Sequence, residues 1–173
     1  MRAFFLLLFF SSIGSSLYSQ EAAPPAPAIA QNALYGELGG AGMEISANYD
    51  RRLTNSNGGL GIRVGLGSSI GDGPSAVTVP LGLNYLVGGH KGNFIELGAG
   101  TTFLNIDHVD AAHTWTLGHT HFATDTHTVM GNLVLGYRRQ PKHGGLSVRA
   151  GFAPFIGAGT SGMIPYFSLG YCF

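Results

Sequence analysis

From residue 32 onward, apolar side chains recur at every second position and rarely at helical spacing. A period of two is the mark of a strand with two unlike faces. In "AVTVPLGLNYLV", Val77, Val79, Leu81, Leu83, Tyr85 and Val87 share one face, opposite Thr78, Pro80, Gly82 and Asn84. In "LGIRVGLG", Leu60, Ile62, Val64 and Leu66 oppose Gly61, Arg63, Gly65 and Gly67. "VMGNLVLGYR" and "LSVRAGFAPFI" repeat the pattern with Val129, Leu133, Leu135, Tyr137 and with Leu146, Val148, Phe152, Ile156. The pattern predicts eight strands, at about 33–39, 43–51, 59–67, 76–88, 93–105, 127–138, 144–156 and 164–173.

The face opposite the apolar one carries Gly, Ser, Asn, Arg and Glu. A soluble barrel would turn that face to water, and the water-facing surface would then be mostly glycine with few charges. Composition sharpens the point. Hydrophobic residues make up 45% of the 173-residue chain and charged residues 10%, against roughly 25% charged in ordinary soluble domains. Reversing the faces removes the difficulty. The expected fold is all-β: an eight-stranded antiparallel transmembrane β-barrel over residues 32–173, lipid-facing outside and polar inside. Closure is then obligatory, because each unpaired backbone group in hydrocarbon costs several kcal/mol.

Connections agree. From an N-terminus on the periplasmic side, the inner turns are "LTNSNG", "GGHKG" and "QPKHGG". The outer connections include "SSIGDGPS" and the long "IDHVDAAHTWTLGHTHFATDT". The first outer connection, "GGAG", is short and breaks the trend. Pro80, Pro154 and Pro165 fall toward the outer rim, where a missing ladder donor is best tolerated. Tyr49, Tyr85, Tyr137 and Tyr171 fall near the inner ends of the descending strands, and with Phe173 they form an expected aromatic girdle.

The N-terminal "MRAFFLLLFFSSIGSSLYSQ" has a basic start, an apolar stretch and small residues before a cut near Ser19. Residues 1–19 read as a secretory signal peptide, too short for a membrane helix. Residues 20–31, "EAAPPAPAIAQ" with its flanking Gln, read as a flexible or extended linker. Net charge is zero, so no basic field favours nucleic acid. The single cysteine, Cys172, excludes an intramolecular disulfide.

The chain ends "IPYFSLGYCF", an alternating strand whose last residue is aromatic. Phe167, Leu169, Tyr171 and Phe173 resemble the C-terminal insertion signal of bacterial outer-membrane barrels. Over 32–173 the chain is similar in plan to small eight-stranded outer-membrane proteins such as the membrane domain of outer-membrane protein A. The resemblance implies location in the bacterial outer membrane, with outer-membrane lipid and the barrel assembly machinery as partners.

Eight strands leave a bore only wide enough for side chains. Its inward set would include Glu37, Glu44, Arg63, Glu96 and Arg149, with Arg138 lower down: a paired network that either fills the barrel or gates a narrow path. The long connection and the residue after it, His127, hold five of the seven histidines. His119 and His121 would share one side of an extended segment, a candidate metal pair, though their spacing fits no closed zinc pattern. Solubility alone also explains a polar loop. No cofactor is expected. No triad spacing marks an enzyme. The reading is therefore a structural or loop-mediated binding protein with an unidentified extracellular ligand. A small pore is the alternative, and a lipid-modifying enzyme stands behind that.

Overall fold

The computed structural model describes residues 29–68, 75–107, 116–117, 120–121, 127–157 and 160–173. In chain order its strands are β1 (Asn32–Gly39), β2 (Ile45–Arg52), β3 (Gly59–Ser68), β4 (Ser75–His90), β5 (Asn93–Asp107), β6 (Thr116–Leu117), β7 (Thr120–His121), β8 (His127–Arg139), β9 (Gly145–Gly157) and β10 (Thr160–Cys172). The pair β6–β7 is a separate two-stranded ribbon within the long connection. The other eight close into one barrel in the order β1-β10-β9-β8-β5-β4-β3-β2, each antiparallel to its neighbours. These are the eight strands the alternation predicts, with β10 starting at Thr160 instead of 164.

The barrel shuts where the chain ends. The Asn32 N–H donates to the Phe173 carbonyl (2.9 Å), and the Phe173 N–H donates to the Asn32 carbonyl (2.8 Å). The terminal Phe therefore completes the β1–β10 ladder, and the barrel has no free edge.

The faces are inverted relative to a soluble protein. Leu83 is 52% exposed while its neighbour Asn84 is 5% exposed; Leu133 is 55% exposed beside Asn132 at 6%. Val79 and Val148 are half-buried on the same outer surface, between larger side chains. Arg63 and Glu96 point inward and are buried.

Glycine makes room inside. A side chain at Gly61 would collide with the Arg52 guanidinium, and one at Gly136 with the Tyr166 hydroxyl. Two prolines leave their mark on the ladders. Pairing of β3 with β4 skips Gly65 and Leu66 beside Pro80, and pairing of β8 with β9 skips Leu133 and Val134 beside Pro154. Each proline lacks the N–H that the ladder needs. Pro165 lies past the point where β1 ends.

Three features depart from the sequence reading. The "GGAG" connection folds into the barrel mouth as a short 3-10 turn, Gly40–Gly42, whose residues are all buried. Next, Met43 takes a left-handed backbone (φ 77°), breaking the alternation before β2. Lastly, the expected linker is anchored at its end: Ala30 is buried, its N–H donates to the Lys142 carbonyl (2.9 Å), and the Gln31 carbonyl accepts from the Arg52 N–H (2.7 Å). The rest of that expected linker and the expected signal peptide lie outside the described residues.

Candidate functional site

Inward alternation on eight strands collects the barrel's buried charges at mid-height. Arg149 on β9 is the hub. It donates to Glu96 through Nε and NH2, both at 2.8 Å, and through NH1 to Glu37 Oε2 at 3.1 Å. Glu96 stands on β5 and Glu37 on β1, so one guanidinium ties strands on both sides of its own. Glu37 Oε2 also accepts from Ser168 Oγ (2.8 Å), which lies directly between Arg149 and Glu37 in the ladder register. Arg63 NH1 lies 3.7 Å from Glu37 Oε1. The Arg149 guanidinium also sits over the Tyr35 ring, 4.3 Å from its centroid, and 5.4 Å from that of Tyr166. Both contacts are within cation–π range.

A second cluster sits below. Asp50 on β2 receives Arg138 NH1 at 3.0 Å from across the lumen and Arg52 NH2 at 2.5 Å from its own strand. Asn84 links the two by accepting from Arg52 and donating to Asp50. Arg138 NH1 is also 3.7 Å from Glu96 Oε1, which joins the lower cluster to the upper. Three buried carboxylates, Glu37, Asp50 and Glu96, thus meet four buried guanidiniums, Arg52, Arg63, Arg138 and Arg149. Buried charges persist only in such paired, hydrogen-bonded arrangements.

Of the expected inward set, Glu37, Arg63, Glu96 and Arg149 meet in this cluster. Glu44 does not. It is half-buried at the mouth, in the turn before β2, because the left-handed Met43 shifts the strand's start to Ile45. Asp50 and Arg52 were missed. The signal was present, since Ser46, Asn48, Asp50 and Arg52 alternate on one face; ending the strand at 51 left out Arg52, although Asp50 lies inside that range.

Above the charges the lumen turns apolar. Met43, Ala76, Leu104, Met130, Phe155 and Ile164 pack together beneath the mouth. The inward turn roofs them. Thr102 Oγ1 donates to the Ala41 carbonyl (2.7 Å) and Thr78 Oγ1 to the Gly42 carbonyl (2.9 Å). The lumen is therefore occupied at two levels, by ion pairs and by an apolar plug.

Tyr49, Tyr85, Tyr137, Tyr171 and Phe173 all lie on the outer surface near the barrel end that carries the chain termini. Tyr49 and Tyr171 oppose the same residue, Leu34, from either side. The Tyr49 hydroxyl donates to Asn32 Oδ1 and the Tyr137 hydroxyl to Asn93 Oδ1, each at 2.7 Å. These asparagines open β1 and β5. His119 lies outside the described residues, and His121 is described only as backbone of β7. No group of three or more metal-ligating side chains occurs among the described residues.

Neither a family model nor a curated protein sequence matches the chain. Solved structures do. The N-terminal β-barrel domain of Pseudomonas aeruginosa OprF is similar at a TM-score of 0.58 and 14% identity, covering 83% of this chain and 96% of that one. The outer membrane enzyme PagL aligns at a TM-score of 0.45 and 15% identity, over 82% of this chain and 98% of its own. At such identity, the likeness to the OprF barrel domain is one of fold: this chain is a closed, eight-stranded antiparallel barrel of that architecture.

Proposed function

We propose that the chain is an integral protein of the bacterial outer membrane that acts as a sealed scaffold, carrying its long connections on the cell's outer side for structural or binding roles. The occupied lumen carries this reading. Arg149 bridges Glu96 and Glu37 at mid-height, and the buried turn Gly40–Gly42 roofs an apolar layer above them. An ion crossing this barrel would have to break buried pairs and then displace packed side chains. The exposed leucines and valines, the tyrosine girdle and the outward-facing Phe167 and Phe173 support residence in a bilayer. They also support assembly by the barrel assembly machinery.

Planar-bilayer recording of refolded protein tests the scaffold against the pore. The expected result is a silent bilayer containing heat-modifiable, folded protein; steady unitary currents would establish the pore instead. The proposal assigns no catalysis. A lipid A species that appears only in cells expressing the chain, detected by mass spectrometry, would overturn that part.

A further inference from the structure

Among the described residues, the fixed charges outside the lumen are segregated by end. The connections at the mouth, residues 40–44, 69–74, 108–126 and 158–159, contain no Lys or Arg. At the end bearing the chain termini the order is reversed. Arg51, Lys91, Arg139 and Lys142 are all exposed there, and the acids nearest them in sequence, Asp50 and Glu96, point into the lumen and are bound to arginines there. None of the four exposed cations forms an ion pair among the described residues.

Their placement follows the girdle. Arg51 comes two residues after Tyr49 on the outward face of β2, and Arg139 two residues after Tyr137 on the outward face of β8. A two-residue step is roughly 7 Å along a strand. Each guanidinium therefore stands just beyond a ring that marks the hydrocarbon boundary, at headgroup depth. Lys91 and Lys142 line one groove of about 760 Å³ at this end, with the hydroxyls of Thr54 and Ser56 in its wall and Tyr85 at the side facing the outer surface. Lys91 is held in a left-handed turn (φ 53°), followed by Gly92 at φ 80°.

We infer that this end of the barrel is a basic collar that binds anionic phospholipid headgroups of the inner leaflet, with a phosphate seated between Lys91 and Lys142. The inference rests on the membrane reading above. Four cations with no ion pair among the described residues attract an anionic lipid surface by about 1 kcal/mol each. The groove gives one phosphate room beside both lysines and continues, past Tyr85, onto the surface that meets acyl chains. A free soluble phosphate would gain nothing from that continuity.

The test uses the chain refolded in nanodiscs of phosphatidylcholine mixed with phosphatidylglycerol of the same acyl composition, followed by gentle detergent extraction and native mass spectrometry of co-purifying lipid. Wild type should retain phosphatidylglycerol several-fold above its share of the mixture. The variant Arg51→Gln/Lys91→Gln/Arg139→Gln/Lys142→Gln should fold with unchanged heat-modifiable mobility and lose that enrichment. Lys91→Gln/Lys142→Gln alone should lose the most tightly held lipid. Equal enrichment in wild type and the fourfold variant overturns the collar, as does retention of inorganic phosphate with no lipid preference. Failure of wild type to gain a protease-resistant form in either lipid overturns the membrane reading itself and the collar with it.

Discussion

Arg138 and Arg149 face each other directly across the β8–β9 ladder, two like charges on one inward surface. Such opposition is destabilising by itself. Glu96 on the neighbouring β5 answers both, at 3.7 Å from Arg138 and 2.8 Å from Arg149. One carboxylate thereby permits two guanidiniums to share a wall of the lumen.

Glu96→Ala should therefore cost about 3–5 kcal/mol, the penalty for stranding a buried charge. The double variant Glu96→Ala/Arg149→Leu should recover more than half of that loss, since it removes the stranded partner too. Urea unfolding in detergent micelles, followed by circular dichroism and gel mobility, measures both. Equal losses in single and double variants would show that packing, and not charge pairing, sets the cost.

Arg63 makes the opposite case. It approaches Glu37 only at 3.7 Å, and it is the guanidinium in excess of the three carboxylates. Arg63→Met keeps the bulk and balances the lumen's charge. It should change stability by less than about 1 kcal/mol, since little hydrogen bonding is lost. A cost as large as that of Glu96→Ala would mean that Arg63 is as tightly bound as Arg149.

Gly61 and Gly36 separate inward from outward glycines. A methyl group at Gly61 meets the Arg52 guanidinium, whereas one at Gly36 meets nothing within 4 Å. Gly61→Ala should cost about 1–3 kcal/mol through forced displacement of a buried charge. Gly36→Ala should stay within about 0.5 kcal/mol of wild type. The same unfolding midpoints read both.

The inward turn predicts a conductance change. Replacing residues 40–43 with a longer polar loop should remove the roof held by Thr78 and Thr102 and expose the layer around Met130 and Phe155. Bilayer recordings should then show intermittent openings absent from wild type. Thr78→Val/Thr102→Val, which leaves two buried carbonyls without those donors, should cost about 2–6 kcal/mol in total. A silent bilayer with the roof replaced would assign the seal to the ion pairs alone.

Much of the barrel was legible in the chain. Strand number, the outward leucines and valines, the tyrosine girdle and the inward direction of Glu37, Arg63, Glu96 and Arg149 all follow from a period of two, a property of any extended backbone. The exclusion of Glu44 was not legible. It depends on Met43 adopting φ 77° at the lip of the mouth, where local preference gives way to the fit of the turn. Asp50 and Arg52 were legible in principle, since Asp50 lies on the inward face inside the predicted strand and Arg52 continues that alternation one residue past its end.

The sequence alone determined which side of each strand is greasy, because neighbouring side chains on an extended chain must point to opposite sides. Only the tertiary structure decided which charges meet. Arg149 reaches Glu37, 112 residues away, and Arg138 reaches Asp50, 88 residues away. Those meetings depend on the stagger at which eight strands close, a sum of registers around the whole ring. The inward turn at Gly40–Gly42 was decided in the same way: its place in the mouth exists only once the ring has closed.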